Sequence, residues 1–264
     1  MSRQARKEEK AERKRAKKEA AQGGPDTQTP GGSEAGDDES SGEEDESPGA
    51  SSGAPSSSRA PSVPGAPSVP GLEAELRARL EALFEEGMEI WSRFDVEVRQ
   101  KNWHPFVPAD YHRVLDALLP LRAPGLRFLE WGSATGAITI MADLLGFEAY
   151  GIELDPELAG IARGLAARHR SAARFAEGSF LPAGYRWRPA DRDGRLGSIG
   201  EGASGYLQLR HPLEDFDLVF GYPWDGEAPV MLDVMNRYGA SGARFLLYGP
   251  DDAVHIHFVR RPTG

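Results

Sequence analysis

With 264 residues, 39% hydrophobic content and a formal net charge of −10, the chain has the length for one sizeable domain with tails. It contains no cysteine, which excludes a disulfide-built module, a thiolate nucleophile and a cysteine zinc site. No apolar h-region follows Met1-Ser-Arg-Gln-Ala-Arg6 and no run approaches membrane-span length, so a soluble, cytoplasmic protein without membrane association is expected.

Residues 1–21 carry nine Lys/Arg against four Asp/Glu, including Arg13-Lys-Arg-Ala-Lys-Lys18, and form a basic charged tail. Weak nucleic-acid contact is one use of such an arm. A solvated tail is the other, and the lack of interleaved aromatics favours it. Residues 22–71 reverse the sign, with one Arg against nine acids over 22–70. They are rich in Gly, Pro and Ser and repeat Ala-Pro-Ser-Val-Pro-Gly from Ala60 and again from Ala66. That composition does not bury enough apolar surface to offset chain entropy, so a disordered linker is predicted.

Order is expected from Leu72. Leu72, Leu76, Leu80, Leu83, Phe84, Met88, Trp91 and Phe94 recur at helical spacing and predict an amphipathic helix. Asn102-Trp-His-Pro-Phe-Val-Pro108 reads as an extended turn. A helix from Asp110 through Leu119 follows, with Asp110 at its start and Pro120 and Pro124 beyond it. Residues 72–125 thus form a helical N-terminal extension of a domain over residues 126–264.

That domain opens with a short buried strand at Phe128-Leu129 that ends in Glu130. A turn from Gly132 to Gly136 follows, then the apolar helical run Ala137–Leu145. Strand, tight turn and helix is how an open α/β sheet begins a nucleotide site: glycine lets backbone and ligand approach, and the helix N-terminus offers N–H groups. The next strand, Phe147–Ile152, ends in Glu153, about 20 residues on, where such folds place an acid for a cofactor ribose. Pro156 opens a helix to about Arg170, and Ala173–Ala176 is a third strand leading to Glu177-Gly-Ser-Phe-Leu181. Residues 182–215 form a long insertion in which Tyr206-Leu-Gln-Leu-Arg210 alternates like a strand, so a hairpin or flap is expected there. Asp215–Phe220 supplies a fourth strand, Ala228–Tyr238 a helix, Ala243–Tyr248 a fifth strand and Val254–Val259 a closing strand. The fold class is α/β: a Rossmann-like, mostly parallel sheet with helices on both faces, an N-terminal helical decoration and a disordered N-terminal tail.

The order Glu130-x-Gly132-x-Ala134-x-Gly136, then Glu153, then Phe216-Asp-Leu-Val219 before a proline-containing loop resembles the class I S-adenosylmethionine-dependent methyltransferases, over roughly residues 103–260. The resemblance implies S-adenosyl-L-methionine as cofactor and methyl transfer as activity. On it, Glu130, Gly132, Ala134 and Gly136 form the cofactor turn, and Glu153 accepts the ribose hydroxyls. Ser179 stands where the family often has an adenine-binding acid. Gly221-Tyr222-Pro223-Trp224 occupies the place of an acceptor-binding Asp/Asn-Pro-Pro-Tyr/Trp. There, Tyr222, Pro223 and Trp224 are substrate-binding candidates, and Tyr222 and Asp225 are catalytic candidates, with Glu227 a further nearby acid. The acceptor is not named by these residues. A nicotinamide-dinucleotide oxidoreductase is one alternative, although only Gly132 of its Gly-x-Gly-x-x-Gly is kept, with Ala134 and Ala137 in register. A noncatalytic cofactor-binding interaction module is the other. No metal is expected: His255 and His257 share a strand face without a third ligand, and His104 reads as a turn-stabilising residue.

Overall fold

The computed structural model describes residues 72–102, 104–187, 197–224 and 226–259. The basic tail 1–21 and the linker 22–71 lie outside the described residues. The elements are α1 (Ala74–Phe94), α2 (Tyr111–Leu118), β1 (Arg127–Trp131), α3 (Ala137–Leu144), β2 (Glu148–Glu153), α4 (Pro156–Arg168), β3 (Arg174–Glu177), α5 (Gly205–Leu209), β4 (Leu218–Gly221), α6 (Ala228–Tyr238), β5 (Arg244–Tyr248) and β6 (Val254–Phe258). They build one six-stranded sheet in the order β3-β2-β1-β4-β5-β6. Pairings from β3 across to β5 are parallel, and β6 runs antiparallel to β5. The fold is therefore α/β and Rossmann-like. No helix among the described residues is long and apolar enough to cross a membrane.

The strands are apolar on both faces, as strands covered by helices on both sides must be. Phe128, Leu218, Phe220, Leu246 and Tyr248 enter a core beneath α1 to α4, whereas Leu129, Trp131, Val219, Phe245 and Leu247 enter a second core beneath α5 and α6. α1 buries Leu80, Leu83, Phe84, Gly87, Ile90, Trp91 and Phe94, the stripe its spacing predicts. Asp110 caps α2, its Oδ1 accepting the His112 amide. Asp155 caps α4 by accepting the Glu157 and Leu158 amides, with Pro156 in the first turn.

One expectation is corrected. Tyr206–Leu209 is not a strand of a hairpin but part of the short helix α5. Its two-residue alternation is satisfied by tertiary contacts instead: the Tyr206 hydroxyl accepts the Trp131 indole N–H at 2.9 Å in the second core, while Leu207 projects outward, 79% exposed. Five residues are too few to separate periods of 2 and 3.6.

The turn between β1 and α3 folds back onto β2. The Gly132 and Ser133 amides both donate to the Ile152 carbonyl. Gly136 caps α3 with φ +80, and a Cβ there would lie 2.7 Å from the Phe175 ring and 2.8 Å from the Ala162 Cβ. The same ring leaves 2.8 Å for a Cβ at Gly151 on β2. Gly136→Ala is predicted to destabilise the domain by about 1–3 kcal/mol from the left-handed backbone alone, with displacement of Phe175 adding to it. Urea denaturation measures the loss, and a fully stable Gly136→Ala protein would contradict this packing.

Candidate functional site

The carboxyl ends of β1, β2 and β4 meet at a cleft of about 350 Å³, counted to its open mouth. Its walls are the β1–α3 turn from Glu130 to Ala137, the segment Phe106–Ala109 with Tyr111, and Phe220 with Tyr222 from the end of β4. This is where an open α/β sheet places its ligand, at the reversal of strand order beside β1.

Glu130 is 4% exposed, and its Oε2 accepts both the Thr139 amide (2.9 Å) and the Thr139 hydroxyl (2.6 Å). Its carboxylate thus caps the N-terminus of α3, where the helix offers unpaired amides. Burial pushes its pKa up to about 8, against the lowering effect of Thr139 and with a further push from Glu153. No Lys or Arg forms an ion pair with it among the described residues. Glu153, at the end of β2, is 8% exposed and is also raised by burial. Its Oε2 accepts the Ala134 amide at 2.6 Å and its Oε1 accepts the Asp155 amide at 2.9 Å. One carboxylate thus fixes the glycine turn, in which Ala134 has φ 46, and the start of α4. A carboxylate has about four lone-pair sites, so roughly two stay open for a ligand.

The other predicted residues take different places. Gly132, with φ +68, faces the cleft, and a Cβ there would meet only Ser198 at 3.8 Å, leaving room for a ligand against its backbone. The Ser179 hydroxyl donates to the Gly200 carbonyl (2.7 Å) and its amide donates to the Ala203 carbonyl, so the hydroxyl is engaged within the chain. Tyr222 lines the cleft and packs edge-on against Tyr248 at 4.7 Å. Pro223 is half-buried beside it. Trp224 turns toward the segment before α2: its indole N–H donates to the Pro105 carbonyl at 3.0 Å, and its ring packs with Trp91, Phe94, Val107, Ala134 and Leu158. Asp225 lies outside the described residues. His104 has the turn role: its Nδ1 accepts the Phe106 amide, which leaves Nε2–H to donate to Asp155 at 3.3 Å, and burial lowers its pKa.

Sequence reasoning named Glu227 only as a nearby acid. In the fold it is a buried anchor, accepting the Ser198 hydroxyl (2.9 Å), the Ile199 amide (3.0 Å) and the Trp224 amide (2.8 Å). It fastens the end of the insertion to the loop after β4. The cleft wall Phe106–Ala109 and Phe220 also went unnamed, because apolar residues carry no positional signal until packing brings them together. Among the described residues no cluster of His, Cys, Asp or Glu has the makings of a metal site.

No protein-family model matches the chain, and no curated protein matches it by sequence. Among solved structures, it is similar to precorrin-6y C5,15-methyltransferase from Geobacter metallireducens, with 17% identity, 51% of this chain and 59% of that chain covered, and a TM-score of 0.36. It is also similar to an RNA methyltransferase from Salinibacter ruber in complex with S-adenosyl-L-homocysteine (20% identity, 53% and 76% covered, TM-score 0.39). A third is an S-adenosylmethionine-dependent methyltransferase from Thiobacillus denitrificans in complex with S-adenosyl-L-homocysteine (17% identity, 60% and 54% covered, TM-score 0.36). The likeness is one of fold. Function is argued from the site itself.

Two predictions follow from this geometry. Glu227→Ala leaves the Ile199 and Trp224 amides without their acceptor, so it lowers stability by about 1–3 kcal/mol and speeds hydrogen exchange at those amides; unchanged exchange would refute the anchoring role. Glu130 holds a proton in the folded chain over a range where the unfolded chain has released it. Stability therefore falls as pH rises from the ordinary carboxylate range to about 8, and Glu130→Gln flattens that slope between about pH 5 and about pH 9 in urea titrations.

Proposed function

We propose that the chain is an S-adenosyl-L-methionine-dependent methyltransferase of the class I type. The observation that carries this reading is the Glu130 carboxylate at the N-terminus of α3. A dinucleotide fold uses that helix end to hold a pyrophosphate on free amides. Here an acid already occupies it, so an anionic ligand group is repelled and a cationic one is favoured. The amino group of the methionine portion of S-adenosyl-L-methionine is such a group, and pairing with it would return Glu130 to its ionised form. The dinucleotide oxidoreductase reading loses its phosphate site by the same argument.

The remaining residues fit that cofactor. Glu153 would accept the ribose hydroxyls on its open lone pairs. Gly132 and Ala134 would present backbone to the ligand, with Gly136 closing the turn onto α3. The cleft between Glu130, Tyr111, Phe220 and Tyr222 would receive the methionine half, and Tyr222 with Pro223 would form the acceptor side. When bound, the cofactor supplies a methyl group on a sulfonium sulfur. The chain's own contribution is to hold donor and acceptor in line and to keep water out, which Phe106, Val107, Pro108 and Phe220 do by walling the cleft with apolar surface. Ser179 is engaged with Gly200, so adenine recognition on this reading rests on backbone groups.

Calorimetry of the full chain with S-adenosyl-L-methionine, S-adenosyl-L-homocysteine and NAD tests the proposal. The sulfur nucleotides are expected to bind, with proton release near neutral pH as Glu130 ionises, and NAD is expected not to bind. Binding of NAD alone would overturn the reading. Glu153→Ala is predicted to weaken binding of the sulfur nucleotides by about 1–3 kcal/mol, and, through the orphaned Ala134 and Asp155 amides, to lower the melting temperature as well. Methyl transfer to a trial acceptor separates the enzyme from a noncatalytic binding module.

A further inference from the structure

The two edges of the sheet are finished differently. At the β3 edge, Gln208 of α5 receives the Glu177 amide on its side-chain oxygen and donates its side-chain N–H to the Glu177 carbonyl, imitating a neighbouring strand. The β6 edge has no such cover among the described residues. The Gly249 amide donates to Ala253, the Val259 amide donates to Ala243, and the Val259 carbonyl accepts from Gly242. Residues 253 and 259 therefore face β5, and alternation along the strand turns the backbone groups of Val254, Ile256 and Phe258 outward.

Edge strands are ordinarily guarded by charge, proline or a bulge. Val254-His-Ile-His-Phe258 contains no Lys, Arg, Asp, Glu or Pro. Ile256 is 39% exposed and Phe258 61% exposed, and both lie on the same face of the strand.

We propose that β6 pairs antiparallel with β6 of a second copy of this chain, across a two-fold axis at Ile256, so that the two sheets become continuous. The register is self-consistent. Ile256 meets its own counterpart, and Val254 faces Phe258 of the second copy, so every outward N–H and C=O finds an outward partner. Slipping by one residue would set outward groups against inward ones. The flanking charges select the same register: Asp252 falls across from Arg260 and Asp251 across from Arg261, whereas a slip by two residues loses that match. Phe258 gains Val254 of the second copy as a neighbour on its exposed face. A single short strand buries little area, so the dimer is concentration-dependent.

Sedimentation velocity and hydrogen exchange on the full chain test this. The expected result is a species of twice the 28.7 kDa chain mass at sub-millimolar concentration. The amides of Val254, Ile256 and Phe258 should become more protected as concentration rises, while the already paired amides of His255 and His257 should not change. Ile256→Lys and Phe258→Lys should each raise the dissociation constant at least about tenfold. Phe258 is already exposed, so its variant should keep the melting temperature of the parent. Arg260→Asp should weaken the dimer, and adding Asp252→Arg should restore it. A monomer at all concentrations, a dimer indifferent to both lysines, or an exchange pattern without the alternation would each overturn the proposal. The exchange pattern of the unaltered chain decides even if a variant fails to fold.

Discussion

The Phe175 ring lies in a notch that two glycines leave open, and the ligand end of the sheet depends on that contact. Gly136 belongs to the turn after β1 and Gly151 to β2, and neither has room for a Cβ beside the ring. With the notch filled, the turn settles onto β2 closely enough for the Gly132 and Ser133 amides to reach the Ile152 carbonyl and for the Ala134 amide to reach Glu153. A wider spacing would leave Glu153 facing solvent at a strand end. The closeness of the packing thus turns an ordinary carboxylate into a buried, pre-oriented acceptor.

Electrostatics follow from the same burial. Glu130 and Glu153 lie under the same turn, each raised by desolvation, with Glu130 pushed further by Glu153. Each is held by N–H or O–H donors from its own neighbourhood rather than by a cation. Two carboxyls in that state destabilise the unliganded fold as they ionise, and a ligand bringing a positive charge and a diol relieves them both. Such a site gives up stability in the empty state in favour of affinity for a cation.

The cleft is then closed by cross-ties between segments far apart in the chain. Trp224 reaches back to Pro105, His104 reaches forward to Asp155, and Glu227 gathers Ser198, Ile199 and Trp224. These are backbone and charged hydrogen bonds at part-buried positions, stronger than exposed equivalents. They join the proline-bounded segment before α2, the end of the insertion and the loop after β4 around one opening.

Read without coordinates, the chain already declares its sheet: the apolar strands at 127–131, 148–153 and 244–248, the capped helices at Asp110 and Asp155, the glycine turn and the acid at Glu153. Each is a local matter of periodicity, cap chemistry or backbone freedom, and local rules survive folding. What Glu130, Ser179, Trp224 and Glu227 do was not legible in this way. Their roles depend on which distant amide, carbonyl or ring comes within 3 Å or so, and that is set by how β1, β2 and β4 stack and by where the insertion is tied down. The helix at Tyr206 was misread for the same reason, since its partner Trp131 is 75 residues away. The sequence determines the elements and the end of the sheet that carries the site; only the tertiary packing decides which polar atoms there are already satisfied and which face the cleft.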